Sequence, residues 1–445
     1  MKRALFMMCI IMLSSAAAVA ESPGKGVFPY KTTVETLDNG LKVIMVPMAS
    51  GGLVSYYSVV RTGSRDEVEP GHSGFAHFFE HMMFRGTKKY PASMYDRMVT
   101  EMGADANAYT TDDYTAYHMS FTKDDLEKVV EIESDRFQNL SYEEAAFQTE
   151  AGAVYGEYRK NISSPWMMLN EKMQATAFTA HTYKHTTMGF EADIKAMPTM
   201  YEYSKSFFTR YYRPENVVLL VAGDFDPAAL MTMIRKYYGP WTRGYVTPVI
   251  PVEPPQKGER SATVSYTGKT LPILAISWKG ERFDPANKTM VAATLFGELA
   301  FGGNSDLYKS LVLKQQRLQM LEPDFGFNRD PNLWGVYAMV KNPADMAAIQ
   351  TEIDKTVAMF QTTPVDAKKL SDLKSRMKYG FLMRLDTPER VAGGLARFVA
   401  LTGGIEAVDQ LYAMFDQVTP QDIMDAAKRF FVRDTRTVIS LSGRN

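Results

Sequence analysis

The sequence predicts an α+β protein of two homologous domains. Each would be a mostly antiparallel sheet with helices packed on it, the second a degenerate repeat of the first. Two observations carry this. "DYTAYHMSFTKDDLEKVVEIESDRFQNL" begins as a strand at Tyr114 and continues as an amphipathic helix, and "LWGVYAMVKNPADMAAIQTEIDKTVAMF" does the same from Leu333. Tyr117 and Tyr337 stand 220 residues apart, and so do Gly223 and Gly443, in the similar stretches "FFTRYYRPENVVLLVAGD" and "FFVRDTRTVISLSGR". At 445 residues the chain is too long for one ordinary core, and its 45% apolar and 23% charged content fits a globular protein.

The first twenty residues differ from the rest. Lys2 and Arg3 precede an apolar run from Ala4 to Leu13, which ends in Ala18-Val19-Ala20. That is the pattern of a secretory signal peptide, too short to span a membrane. The only cysteine, Cys9, lies inside it, so a processed chain would have neither disulfides nor thiolate ligands. Without Lys2 and Arg3 the 50 basic residues fall to 48 against 51 acidic ones, a formal charge of −3. No basic excess remains to neutralise phosphates, which argues against nucleic acid as a partner. No later apolar run is long enough for a membrane span.

Asp38-Asn39-Gly40 signals a hairpin near the start of the first half. Residues 239–260, with five prolines, read as a linker. The expected divisions are a signal peptide over 1–20, a catalytic domain over 27–243, a Pro-rich linker over 244–256 and a repeat domain without metal over 257–445.

The chemistry concentrates in "GFAHFFEHMMFRGT", residues 74–87. On a helix, His77 and His81 share one face a turn apart, which suits two corners of a tetrahedral zinc. Glu80 borders that face and would act as a base toward water. Phe78, Phe79, Met82 and Met83 would bury the other faces. A catalytic zinc needs a third protein ligand and an open position. Ser141 and Glu144 predict a capping box that opens a second helix, on which Glu150 and Glu157 lie two turns apart on one face. Helical spacing leaves open which of them binds metal and which supports a ligand. All six histidines fall between 72 and 185. At the repeat offset His77, Glu80, His81 and Glu157 become Gly297, Ala300, Phe301 and Met377, so the second half keeps the fold and not the cluster. "FGGNS" (301–305) is glycine-rich, but no Lys-Ser/Thr follows it to suggest a phosphate site.

His77-x-x-Glu80-His81 is the inverted zinc-peptidase motif. With "GSRDE" (63–67), "ANAYTTDDYTAY" (106–117), "HTYKHTTMG" (181–189), "YYRPENVVLLVAGD" (211–224) and Glu157, the mature chain resembles the pitrilysin/insulinase family of zinc peptidases. The closest likeness is to its mitochondrial-processing-peptidase-like branch of short chains. The resemblance implies His77, His81 and Glu157 as ligands of one zinc per chain, Glu80 as general base and Glu150 as the supporting glutamate. It implies Asn107 and Ala108 as the segment where a substrate backbone pairs as an added strand. One feature departs from the family. Its complete members carry an arginine and a tyrosine seven apart in a later domain, whereas "VLKQQRLQ" (312–319) begins with Val312 and ends with Gln319.

The function expected from these residues is a secreted zinc metalloendopeptidase acting on peptides or unfolded polypeptides, in a bacterial periplasm. It would be the zinc-bearing subunit of a two-chain clamshell, a heterodimer with a paralogue that lacks the zinc motif but carries the Arg/Tyr pair. A homodimer is the runner-up. The alternative is a non-catalytic core or assembly subunit of the same fold. Such subunits usually lose ligands, and this chain keeps each one. Metal sequestration without chemistry would leave Glu80 without a role.

Overall fold

A computed structural model describes residues 20–21 and 26–444. The expected signal peptide, residues 1–20, lies outside the described residues except for Ala20. The first half contributes β1 (Ala20–Glu21), β2 (Thr33–Thr36), β3 (Lys42–Pro47), β4 (Leu53–Val60), β5 (Asp105–Thr110), β6 (Thr115–Thr122) and β7 (Val217–Gly223). They form one sheet in the order β1-β2-β3-β7-β4-β6-β5. The second half contributes β8 (Arg260–Lys269), β9 (Ile273–Lys279), β10 (Leu318–Asp324), β11 (Leu333–Val340) and β12 (Arg436–Arg444), in the order β10-β11-β9-β12-β8.

The two sheets share one plan. β3-β7-β4-β6-β5 matches β8-β12-β9-β11-β10 strand for strand, and each sheet has a single parallel pair, β3 with β7 and β8 with β12. Tyr117 and Tyr337 fall in the matching strands β6 and β11, and Gly223 and Gly443 in β7 and β12. The duplication legible at the offset of 220 is therefore a duplication of topology. The expected hairpin joins β2 to β3, with Gly40 at φ +88°, a left-handed conformation that glycine adopts without strain.

The first-half helices are α1 (Phe75–Met82), α2 (Ala92–Glu101), α3 (Leu126–Asn139), α4 (Glu144–Asn161), α5 (Pro165–Ala177), α6 (Glu191–Ala196), α7 (Tyr201–Tyr211) and α8 (Pro227–Tyr238). The second-half helices are α9 (Lys288–Phe301), α10 (Asp306–Tyr308), α11 (Met346–Thr362), α12 (Ala367–Leu382), α13 (Pro388–Thr402), α14 (Glu406–Gln417) and α15 (Pro420–Phe430). Between α8 and β8, residues 241–257 carry no helix or strand. Proline removes the N–H groups that either element would need there.

Alternation along the strands gives the first sheet two buried faces. Val43, Met45, Tyr56, Leu219 and Val221 face a core shared with α1, α3, α7 and α8. Ile44, Val46, Tyr57, Val59, Leu220 and Ala222 face the other way, into a core built largely from the second half. That face is covered by α13, which lies across β4 and β7. In return α5 lies across β8 and β12, with Leu169 and Met173 against Val264, Ile273, Ile439 and Leu441. Each half thus lends a helix to the other's sheet.

A polar lock reinforces the exchange. Asp330, in the loop between β10 and β11, accepts from Arg65 Nε at 2.6 Å and lies 3.0 Å from His181 Nε2. Asn328 Nδ2 and the N–H of Arg329 donate to Asp113 Oδ2 at 2.9 and 3.2 Å. Buried charges are tolerated where they are paired and hydrogen-bonded, as here.

The capping box expected at Ser141 does not form. The helix begins at Glu144 with Glu143 at its N-cap, and no side chain caps it. Thr87 and Leu140 form an isolated antiparallel bridge, and the N–H of Ser141 donates to the carbonyl of Gly86 at 3.3 Å. That pairing holds the chain extended at Ser141 and moves the helix start along.

Candidate metal centre

The cluster is built on α1, eight residues that open at Gly74. Phe75, Phe78, Phe79 and Met82 are wholly buried, and Met83, just past the helix, is too. Phe79 stacks on Phe207 of α7 with ring centroids 5.2 Å apart, and Phe78 meets Phe147 of α4 edge-on at 5.1 Å. This aromatic packing fixes the rotation of the helix about its axis. His77 and His81 project from the remaining face, their ring centroids 4.9 Å apart.

Across from them stands α4. Glu157 Oε2 lies 3.7 Å from His77 Nε2 and 3.4 Å from His81 Nε2, and the three donor atoms all fall within 4.8 Å of one another. Two donors held at about 2.0–2.1 Å on a tetrahedral ion stand roughly 3.3 Å apart, so the spacing fits a shared divalent cation. No other comparable group of His, Cys, Asp and Glu occurs among the described residues.

Burial, aided by the neighbouring His81, pushes the His77 imidazole down to about 4, so at neutral pH it carries a free lone pair. Its Nδ1 is buried with no hydrogen-bond partner among the described residues. His81 Nδ1 sits 2.9 Å from Glu150 Oε1. With the carboxylate accepting, the proton resides on Nδ1 and Nε2 is free to face Glu157. The geometry therefore separates the two glutamates that helical spacing left open. Glu157 Oε2 faces both imidazole Nε2 atoms, whereas Glu150 contacts Nδ1 of His81 and pairs with Arg85.

Glu80 is largely buried beside the cluster, and that burial raises its carboxyl above the usual carboxylate range. Thr110 Oγ1 donates to Glu80 Oε2 at 2.6 Å and partly offsets the shift. Asn107 and Ala108 lie on β5, the edge strand of the sheet, whose outer side has no strand partner among the described residues. Asn107 Oδ1 accepts the N–H of Ala108 at 2.8 Å. All seven residues singled out in the sequence thus lie on three adjoining elements, α1, α4 and β5.

Three further residues enter only through the structure. Thr110 holds Glu80, Arg85 pairs with Glu150, and Asn161 Nδ2 donates to Glu157 Oε1 at 3.3 Å, leaving Oε2 to the imidazoles. Asn161 carried a sequence signal, being four residues past Glu157 on the same helix. Thr110 and Arg85 act across elements and carried none beyond their place in the motif segments.

A helix presenting two histidines and a glutamate, a second helix supplying a carboxylate and an open strand edge alongside define a metallopeptidase-type site. Comparisons with known proteins agree with that class. Residues 50–191 match the family model "Insulinase (Peptidase family M16)", and residues 200–377 match "Peptidase M16 inactive domain". The chain belongs to the insulinase family of peptidases. The zinc protease PqqE of Helicobacter pylori is 29% identical over 411 residues, covering 90% of each chain. The β subunit of the bovine (Bos taurus) mitochondrial-processing peptidase is 27% identical over 410 residues, 90% of this chain and 82% of that one. The crystal structure of a protease from Helicobacter pylori superposes with a TM-score of 0.87 at 27% identity, over 93% of this chain and 99% of that one. Among the described residues no single helix is long and apolar enough to cross a membrane.

Proposed function

We propose that this chain is an exported zinc metalloendopeptidase, the zinc-bearing subunit of a two-chain clamshell that cleaves peptides or unfolded polypeptides. The observation that carries the reading is the convergence of His77 Nε2, His81 Nε2 and Glu157 Oε2 within 4.8 Å, with Glu80 on the same short helix. Zinc bound there supplies a Lewis acid that polarises the scissile carbonyl and acidifies water. Glu80 takes a proton from the attacking water and passes it to the leaving amine. Burial raises its affinity for protons, the direction that helps a group which must both take up and give back a proton. Glu150 and Arg85 keep His81 oriented, and Thr110 keeps Glu80 turned toward the site. The open side of β5 at Asn107 and Ala108 receives the substrate as an added strand, through main-chain hydrogen bonds.

The working division is a catalytic domain over 27–243, a linker over 244–256 and a repeat domain without metal over 257–445. Export to a bacterial periplasm follows from the signal peptide read in residues 1–20. The partner follows from the missing Arg/Tyr pair. Removing one oxyanion donor costs about 10²–10³ in rate, so a chain without such donors needs them from elsewhere. A paralogue that carries the pair and lacks the zinc motif would supply them.

The test is elemental analysis of the purified chain and of the His77→Ala, His81→Ala double variant, followed by cleavage of an unstructured peptide with and without the paralogue. About one zinc in the wild type, none in the variant and cleavage stimulated by the paralogue are expected. Full zinc in the double variant would place the metal elsewhere. Full activity as an isolated monomer would remove the partner.

A further inference from the structure

The segment "GSRDE" (63–67) takes no part in the site as described so far, yet Glu67 is buried with its side chain shut off from solvent. Both of its carboxylate oxygens are committed. Oε2 accepts the N–H of Gly74 and Oε1 accepts the N–H of Ala76, each at 2.7 Å. These are the N-cap residue and the second residue of α1, immediately before His77. The first N–H groups of a helix have no partner inside it, and a carboxylate there also complements the helix dipole.

An ordinary cap comes from the N-cap residue itself, as Asp226 caps α8 by accepting from Ala229 N at 2.8 Å. Gly74 has no side chain and cannot do this. It holds φ +93°, and a β-carbon placed on it would stand 2.6 Å from the carbonyl oxygen of Met188. Gly189 closes on it from the facing loop, where an added β-carbon would meet Gly74 N at 2.7 Å. Ser73, one residue earlier, donates to Asp193 Oδ2 from its N–H at 3.1 Å and from Oγ at 2.6 Å. The start of α1 is thus clamped from three directions, with a buried carboxyl at its centre, whose burial favours the neutral form and whose two backbone N–H donors favour the carboxylate.

We infer that Glu67 is a positioning residue for the metal centre: its two hydrogen bonds set the axial register and tilt of α1, and through them the directions of His77 and His81. This rests on the zinc reading above. An isolated eight-residue helix is marginal in water, so the placement of this one depends on its anchors. Metal sites tolerate displacements of only about 0.5 Å, less than the freedom an unanchored helix end would have. Glu67→Gln keeps the shape of the side chain but turns an amide N–H toward a backbone N–H, so one of the two anchors is lost.

The probe is cobalt(II) alone, titrated into the chelator-treated full chain and followed by visible absorption. In E67Q the dissociation constant for cobalt is expected to rise about tenfold or more, in line with losses seen when supports of metal ligands are removed, and the absorption bands to shift. Asp226→Ala, which uncaps the distant α8, is the control. It is expected to lower thermal stability without moving either cobalt readout. Glu67→Asp keeps a buried carboxyl with a shorter reach, and decides the question should E67Q not fold. Unchanged cobalt affinity and spectrum in the folded Glu67 variants would make Glu67 a structural cap only and overturn the inference. A wild-type chain that takes up no cobalt would overturn the zinc reading, and this inference with it.

Discussion

The two halves carry the same strand order, yet they treat one position in opposite ways. In the first half, α1 presents His77, Glu80 and His81 toward Glu157 of α4. In the second, the corresponding α9 and α12 present Gly297, Ala300, Phe301 and Met377. The space that a side chain at 297 would take is filled by the ring of Phe325, whose nearest carbon would lie 2.4 Å from an added β-carbon. Phe301 is buried and stacks on Trp278. The helices differ as well. α9 runs for 14 residues from a local Asn287 cap, whereas α1 runs for 8 and is capped from a distance by Glu67. The scaffold tolerates either a dry, packed junction or a polar one, so the cluster in the first half is not a requirement of the fold. Burying the His77 imidazole with its Nδ1 unpartnered costs stability, and a binding or catalytic role is the compensation that such a cost implies.

The sharpest way to test the contrast is to take from the first half one ionisable group that the second lacks, changing little else. Glu80→Gln removes a base but no ligand. Zinc content and fold are expected to stay, while peptide hydrolysis falls by ~10²–10⁴. Full activity in this variant, read by steady-state cleavage, would take the role from Glu80.

A smaller effect is expected in the converse direction. Gly297→Ala places a methyl group against the Phe325 ring, which must move. Overpacking of this kind typically costs roughly 1–3 kcal/mol. Urea unfolding of the metal-free chain reads it, and an unchanged midpoint would mean that the second junction is looser than its geometry implies.

The smallest effect concerns pH. His77 is held neutral by burial, its pKa lowered from 6.5 to about 4. Between those values the unfolded chain binds a proton at this residue that the folded chain does not. Its contribution therefore lowers the stability of the metal-free protein as pH falls from 6.5 toward 4. His77→Ala removes that dependence. The difference in urea midpoint between variant and wild type is expected to favour the variant more at pH 5 than at pH 7.5. A difference that does not change with pH would contradict the neutral assignment.

Much of this was legible in the sequence, and the reasons are physical. The two histidines, Glu80 and the phenylalanines of α1 share one short helix, where a period of 3.6 sorts faces without tertiary knowledge. The duplication was legible because strand-to-helix transitions recur at a fixed offset. The choice between Glu150 and Glu157 was not a matter of periodicity, since both share a face of α4. It depended on how α4 lies across α1. The capping box at Ser141 failed for a similar reason, because a bridge between Thr87 and Leu140 competes for the same backbone. Thr110, Arg85 and Glu67 act between segments, through contacts that no local pattern encodes.

The helices α5 and α13 have a consequence of their own. Each closes the sheet of the opposite half, the arrangement of a domain-swapped dimer written into one polypeptide. A nick in residues 244–256 would leave two fragments still holding each other's lids, and either fragment made alone would expose an apolar sheet face. The face of the first sheet opposite α1 is covered by α13, so the helix that carries His77 and His81 rests on a sheet backed by the other half.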